Sequence, residues 1–256
     1  SGGPGNESGK IIYGANNTAN RESSLAVGNQ NTASNKSASA IGVGNTASGE
    51  ASVAMGNSST ASGDRSIAIG SGANATQGAA VAIGRQAEAT GGSAVAVGYT
   101  NKAKKNVAVA LGVNNNVDGE FSTAVGSSNT IATDANEATV IGRTNKVNRA
   151  GSFAGGFSNV TNGERNVAIG SENSTTGEDS IGIGKKTIAG TGKSIAIGTI
   201  YNPDDGSAAK QTIARGNDTI NPATGQVNNV FALAIGNGAQ ADGKAKSASG
   251  MIAIGQ

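Results

Sequence analysis

A five-residue phrase, Ser/Ala-h-Ala-h-Gly with h apolar, returns along the chain at a nearly constant interval, and that periodicity leaves few folds open. It stands at Ser24-Leu-Ala-Val-Gly28, Ser52-Val-Ala-Met-Gly56, Ser66-Ile-Ala-Ile-Gly70, Ala94-Val-Ala-Val-Gly98, Asn166-Val-Ala-Ile-Gly170 and Ser194-Ile-Ala-Ile-Gly198, with looser copies ending at Gly14, Gly44 and Gly142 and later ones at Gly236 and Gly255. The 16 anchor glycines define 15 intervals, ten of them 14 residues long and the others 12, 16, 16, 38 and 19. Two apolar residues flanking a small one repeat with period 2, which predicts a short strand rather than a helix. Three residues past an anchor stands usually Asn, Ala, Ser or Thr (Asn17, Asn31, Asn101, Asn115, Asn145, Asn159, Asn173), and two further on mostly a small or apolar residue (Ala19, Ala33, Ala103, Val117, Ile131). Each unit therefore reads strand, turn, strand, turn.

The second turn repeatedly carries Gly before an acid, as in Gly49-Glu50, Gly63-Asp64, Gly119-Glu120, Gly163-Glu164 and Gly177-Glu178. The expectation is that these glycines supply the positive φ of the corner. A two-strand unit closes no core alone, so successive units must stack in register as parallel ladders. At ~4.8 Å per strand, 16 rungs make a rod ~75 Å long. The two h residues are expected inside each rung, with the small residues of the first strand on its opposite side, where another surface can approach. So thin a roll should be marginal by itself, and side-by-side association of identical chains into a closed ring is the natural remedy.

Composition narrows the function. Among 256 residues there is no His, Cys or Trp, which removes the imidazole base, the thiolate nucleophile, the His/Cys zinc site and the disulfide framework. No cofactor, metal or catalytic residue is expected. The chain has 41 Gly and only 36% apolar residues, bulk statistics that suggest disorder until residue order is considered. A net charge of +2 from 19 basic and 17 acidic residues gives no nucleic-acid footprint. The longest apolar stretch, about 107–111, is far short of a membrane helix. Residues 1–9 read as a linker or cloning remnant, and the chain ends in mid-pattern at 251–256, as a fragment of something longer would.

Ser52-Val-Ala-Met-Gly-Asn-Ser-Ser-Thr-Ala-Ser-Gly-Asp-Arg65, followed at once by Ser66-Ile-Ala-Ile-Gly70, resembles the head repeat of trimeric autotransporter adhesins, the YadA-like head. The resemblance covers positions 10–200 nearly without interruption and returns at 230–256. It implies an all-β, left-handed parallel β-roll, a two-strand solenoid of 14-residue repeats, assembled as a side-by-side homotrimer. It also implies display on the bacterial outer membrane through a C-terminal anchor of the parent protein, this fragment being extracellular. The implied partners are collagen, fibronectin or laminin of the extracellular matrix, or surface receptors of host or partner bacterial cells.

The main departure is the interval from Gly198 to Gly236, where a loop or hairpin is expected at about 199–230, with turns at Tyr201-Asn-Pro-Asp-Asp-Gly206 and Asn221-Pro-Ala-Thr-Gly225. Thr219-Ile220 and Gln226-Val227 are placed to flank the second turn. Candidate partner-binding residues are Tyr201, Asp204, Asp205 and Pro222 of this insertion, and a basic set, Lys102, Lys104, Lys105, Arg143, Lys146 and Arg149, suited to an anionic partner. The ordinary alternative for those cations is a solubilising sheet surface. Acidic corners lack the Gly-Gly-x-Gly-x-Asp motif of calcium rolls, and the Asn column reads as a structural amide ladder. Among other classes, trimeric β-helix acyltransferases use a hexapeptide period and His, both missing here. An ice-binding solenoid needs a flat Thr ladder, and a purely structural rod remains open.

Overall fold

The computed structural model describes residues 9–190, 192–200, 210–215, 218–220, 227–229, 232–242 and 251–255. Contact density divides the chain into two units, 1–128 and 129–256, built on one plan. In the first, long strands such as Leu25–Asn29, Ser39–Val43, Val53–Asn57 and Val95–Tyr99 pair in parallel, and short strands such as Thr32–Ala33, Thr46–Ala47 and Lys102–Ala103 form a second parallel sheet. The register is 14 residues: Ala26 lies beside Ala40 and Ala40 beside Ala54. In the second unit, Thr139–Arg143, Phe153–Phe157, Val167–Ser171 and Ile181–Lys185 repeat the long ladder, and Lys146–Val147, Val160–Thr161 and Ser174–Thr175 the short one. Each unit is thus a parallel β-solenoid.

Register corrects one anchor. Gly28 pairs with Gly42 and Gly42 with Gly56, so the column runs through Gly42 and not Gly44, and both intervals there become 14.

Inside and outside are also exchanged relative to the expectation. The second residue of each long strand, between the two h positions, faces in: Ala26, Ala40, Ala54, Ala68, Ala82, Ala96 and Ala110 of the first unit, and Val140, Ala154 and Ala168 of the second, are fully buried. Ala33, Ala47, Ala61, Val117, Ile131 and Val147 of the short strands complete the core. The h residues point outward and stay half exposed, as at Val27, Ile41 and Ile69, and at Ile169, which is 41% exposed. The reason is breadth. A two-residue short strand with tight corners brings the sheets close, so most inward places hold Ala, Ser, Thr or Asn, and the rung of Val140 and Val147 is a larger exception. Where Thr175 brings a larger side chain inside, the facing long strand carries Gly182, whose added Cβ would lie 3.0 Å from both Thr175 Cγ2 and Thr187 Oγ1. Volume is conserved across the roll, as close-packed interiors require.

Corner chemistry differs too. Gly49, Gly63 and Gly163 do not have positive φ. The left-handed residue of that corner is the second one on, Ala51, Arg65 or Arg165, with φ of 54°, 57° and 53°. The glycines are there for space: a Cβ on Gly49 would collide with the Gly63 carbonyl oxygen, and one on Gly163 with that of Gly177.

In the 198–236 interval, Ile213–Arg215 re-enters the short-strand sheet, with Ile188 beside Ile213 and Ile213 beside Gln240. Thr212-Ile213-Ala214 copies Thr187-Ile188-Ala189, a repeat that the anchor-to-anchor spacing conceals. Asp218–Ile220 and Val227–Asn229 then pair antiparallel, Ile220 opposite Val227. Tyr201, Asp204, Asp205 and Pro222 lie outside the described residues.

Candidate functional site

The inner column of amides is structural. In the first unit Asn31 donates its Nδ2 to the carbonyls of Val27 (2.9 Å) and Gly42 (2.7 Å) and to Asn17 Oδ1 (3.0 Å), while its own Oδ1 receives the backbone N–H and Nδ2 of Asn45. Asn145, Asn159 and Asn173 repeat this in the second unit. Every donor and acceptor of these side chains is spent inside the roll.

The outward surfaces are what remains for a partner. On the long-strand face two aliphatic columns run side by side, Leu25, Val53, Ile67, Val81 and Val95 next to Val27, Ile41, Met55, Ile69 and Ile83 in the first unit. In the second unit Val167 and Ile181 stand beside Ile169 and Ile183. Phe153 there folds its ring over Gly155, so that a Cβ on Gly155 would lie 2.9 Å from Phe153 Cε1. One large side chain thus covers two places in the face. The next outward position carries Tyr99 under the Arg85 guanidinium, 5.5 Å from the ring centre, and Phe157 under Arg143 at 4.6 Å.

The basic candidates divide between the units, and most have an acidic or aromatic companion. Lys102 Nζ lies 3.6 Å from Glu88, and Lys104 Nζ 3.0 Å from Asp118. Arg149 lies 3.5 Å from Asp134. Lys105 and Lys146 are exposed. Local pairing therefore offsets much of the positive field that the sequence spacing suggested.

The densest charge group joins the adjacent pair Glu164-Arg165 to a carboxylate 14 residues further on, a partner that adjacency in the sequence does not show. Arg165 donates to Asp179 at 2.6 Å and 3.2 Å and also lies 3.2 Å from Glu164. That hydrogen bond holds the Asp179 carboxyl below the usual carboxylate range and raises Arg165 above its ordinary value. A carboxyl whose folded pKa is depressed contributes stability above its unfolded pKa, and the contribution is lost as pH falls through the folded value. Accordingly, Asp179→Asn lowers the melting temperature slightly at pH ~7, and the gap from the parent closes towards pH ~2. A pH-independent gap in paired melts refutes this.

A second overlooked column is Thr18, Thr32, Thr46 and Thr60, in register on the outer side of the short strands and succeeded by Asn74, Glu88 and Lys102. Tracking the position four past each anchor would have exposed it. Among the described residues, no group of three or more His, Cys, Asp or Glu is arranged to hold a metal ion.

The family described as "YadA head domain repeat (2 copies)" matches residues 22–45, 33–59, 47–73, 61–87, 75–101, 108–129 and 176–199, together about half of the chain. No curated protein matches the chain. With this repeat recurring along the sequence, and with 14-residue rungs in both units, the chain belongs to the YadA-like heads of trimeric autotransporter adhesins, proteins of the bacterial surface.

Proposed function

We propose that the chain is an adhesive head that works as a side-by-side homotrimer of left-handed rolls, with the long-strand faces turned towards one another and the remaining faces offered to partners. The observation that carries this is the pair of outward aliphatic columns. The roll fills its own core mostly with Ala, Ser, Thr and Asn, with Val or Ile at a few places, and leaves most of its large apolar side chains half exposed. Contiguous apolar surface of this kind marks an interface. Identical chains close such an interface symmetrically.

Ile169→Asp tests it. A carboxylate on that face leaves the single roll folded, because the side chain is not part of its core, and weakens association by at least ~100-fold. Sedimentation should show the parent as a trimer and the variant shifted to monomer with unchanged circular dichroism. A parent that sediments as a monomer refutes the assembly.

The targets proposed for the trimer are matrix proteins (collagen, fibronectin or laminin) or surfaces of host or partner bacterial cells. Each rung presents a weak, similar site three times over, so avidity supplies the strength. Lys105 and Lys146, with Lys102, Lys104, Arg143 and Arg149, are the basic positions available to an anionic partner, and the insertion with Tyr201, Asp204, Asp205 and Pro222 is a second candidate region. The parent protein would hold this extracellular head at the outer membrane. Binding screens of the intact head and of variants lacking 201–209 or 221–226 test this reading. A monomeric variant that adheres as well as the trimer sinks it.

An ice-binding reading has one observation in its favour, the in-register Thr18, Thr32, Thr46 and Thr60 column. Thermal hysteresis measured on the purified protein decides it, and its absence removes the reading.

A further inference from the structure

Because every rung repeats one plan, a place where several columns depart from the plan together stands out against its own neighbours. Rungs between Gly70 and Asn116 are such a place. The amide ladder stops: Ser59, Ala73 and Ala87 occupy the positions held by Asn31 and Asn45 before and by Asn101 and Asn115 after. The outer Thr column gives way to Asn74, Glu88 and Lys102. The long strand shortens to Val81–Ile83.

The ladder break has a cost within the chain. In regular rungs the backbone N–H at this position donates to the preceding Asn Oδ1, as from Asn45 to Asn31 (3.1 Å) and from Asn115 to Asn101 (2.9 Å). Among the described residues no acceptor reaches the N–H of Ala73 or Asn101, although each residue is at most 1% exposed. Buried N–H groups without partners are rare and call for an explanation. Departures from an otherwise consistent pattern collect at functional sites.

At the same rungs the outer surface opens into a groove of about 470 Å³ lined by Gly72, Asn74, Gln86, Glu88, Thr100 and Lys102, with Asn114 at one end and Ala87 at its base. Its size is that of a small-ligand site. The lining is amide, hydroxyl, carboxylate and ammonium, and offers no aliphatic side chain larger than Ala. Glu88 and Lys102 stand 3.6 Å apart, so the groove holds both charges and neither in excess.

We propose that this groove binds a neutral saccharide. Each hydroxyl of a sugar is both donor and acceptor, and the amides of Asn74, Gln86 and Asn114 each offer both. The Glu88–Lys102 pair supplies an acceptor and a donor side by side, spaced for neighbouring hydroxyls. Balanced charge disfavours an anion, and the amide, hydroxyl and charged groups of the lining favour a ligand that hydrogen-bonds. This goes beyond the repeated-surface reading, since it assigns a discrete site to one stretch of one roll.

The test uses the intact chain on a printed array of neutral oligosaccharides, with sialylated and sulfated members alongside. Expected is retention of neutral members that Gln86→Ala and a Glu88→Ala/Lys102→Ala double variant each weaken about tenfold. Thr32→Ala, in the same outer column but outside the groove, leaves binding unchanged. All these side chains are on the outside, and melts confirm that each variant folds. Raising salt from ~0.05 to ~0.5 M leaves neutral binding within about twofold. Binding confined to sulfated or sialylated members and falling with salt overturns the proposal, as does binding indifferent to the groove variants or no binding at all. Adhesion to matrix proteins is read separately and survives Gln86→Ala, so the two readings fail independently.

Discussion

Gly98→Ala lowers the stability of the roll by about 3–5 kcal/mol, the sum of a left-handed backbone cost and an overpacking cost. Gly98 has φ of 118°, and a Cβ there would drive into the Gly112 carbonyl oxygen of the next rung while sitting 2.8 Å from Asn101 Nδ2. Neither obstacle yields easily, because the carbonyl belongs to the parallel ladder and the amide is tied to Val97 and Gly112 at 2.6 Å each. Gly44 is the control. Its φ of 64° is also left-handed, but the nearest atom to an added Cβ is Ser58 Oγ at 3.7 Å, so Gly44→Ala costs only about 1 kcal/mol. Urea unfolding of the two variants separates the contributions. Equal losses would mean that the close approach between rungs carries no weight.

Asn159→Ala costs about 3–5 kcal/mol, because it removes one side chain and strands several buried groups at once. Its Nδ2 donates to the carbonyls of Gly155 and Gly170, both at 2.9 Å, and to Asn145 Oδ1 at 3.0 Å, while its Oδ1 receives the N–H of Asn173 at 3.0 Å and its Nδ2 at 2.9 Å. The opposite substitution, Ala87→Asn, gives Asn101 N–H the acceptor it lacks and raises stability by about 1 kcal/mol. Denaturant titration of both gives the two signs. A stabilised Asn159→Ala, or a destabilised and misfolded Ala87→Asn, would show that the column is not what ties rung to rung.

Much of this was legible in residue order. Period-2 phrases at 14-residue spacing specify short strands in a register that only a parallel stack satisfies, and the Asn column announces its ladder by recurring at one offset. Three things were not legible for definite reasons. An alternating strand has two faces, and nothing in Ser-Ile-Ala-Ile-Gly says which one is inward, because Ala suits a narrow core as well as it suits a close external contact. Glycine is required both where φ is positive and where a neighbouring backbone comes near, so Gly49 and Gly63 were assigned the first reason when the second holds. The 198–236 interval hid a short strand at Ile213–Arg215, because spacing between anchors reports only the long strands.

The candidate surfaces follow the same division. Lys102, Lys104 and Arg149 are plainly basic in the sequence, but Glu88 and Asp118 reach the two lysines from 14 residues away, and Asp134 reaches Arg149 from 15. Asp179 meets Arg165 at the same 14-residue distance. A charge cluster read along the chain therefore overstates what a partner would feel across it.

By itself the sequence determined the repeat length, the parallel stacking and the family, since these depend only on which residue types recur and how far apart. Which face of each long strand is core, which glycines make room rather than turn, and where the outer columns depart from their pattern were decided by the tertiary structure. Those depend on how near the two sheets of a 14-residue rung must lie. That distance is set by the corners and the two-residue short strand together, and at that distance small side chains fill most of the inside.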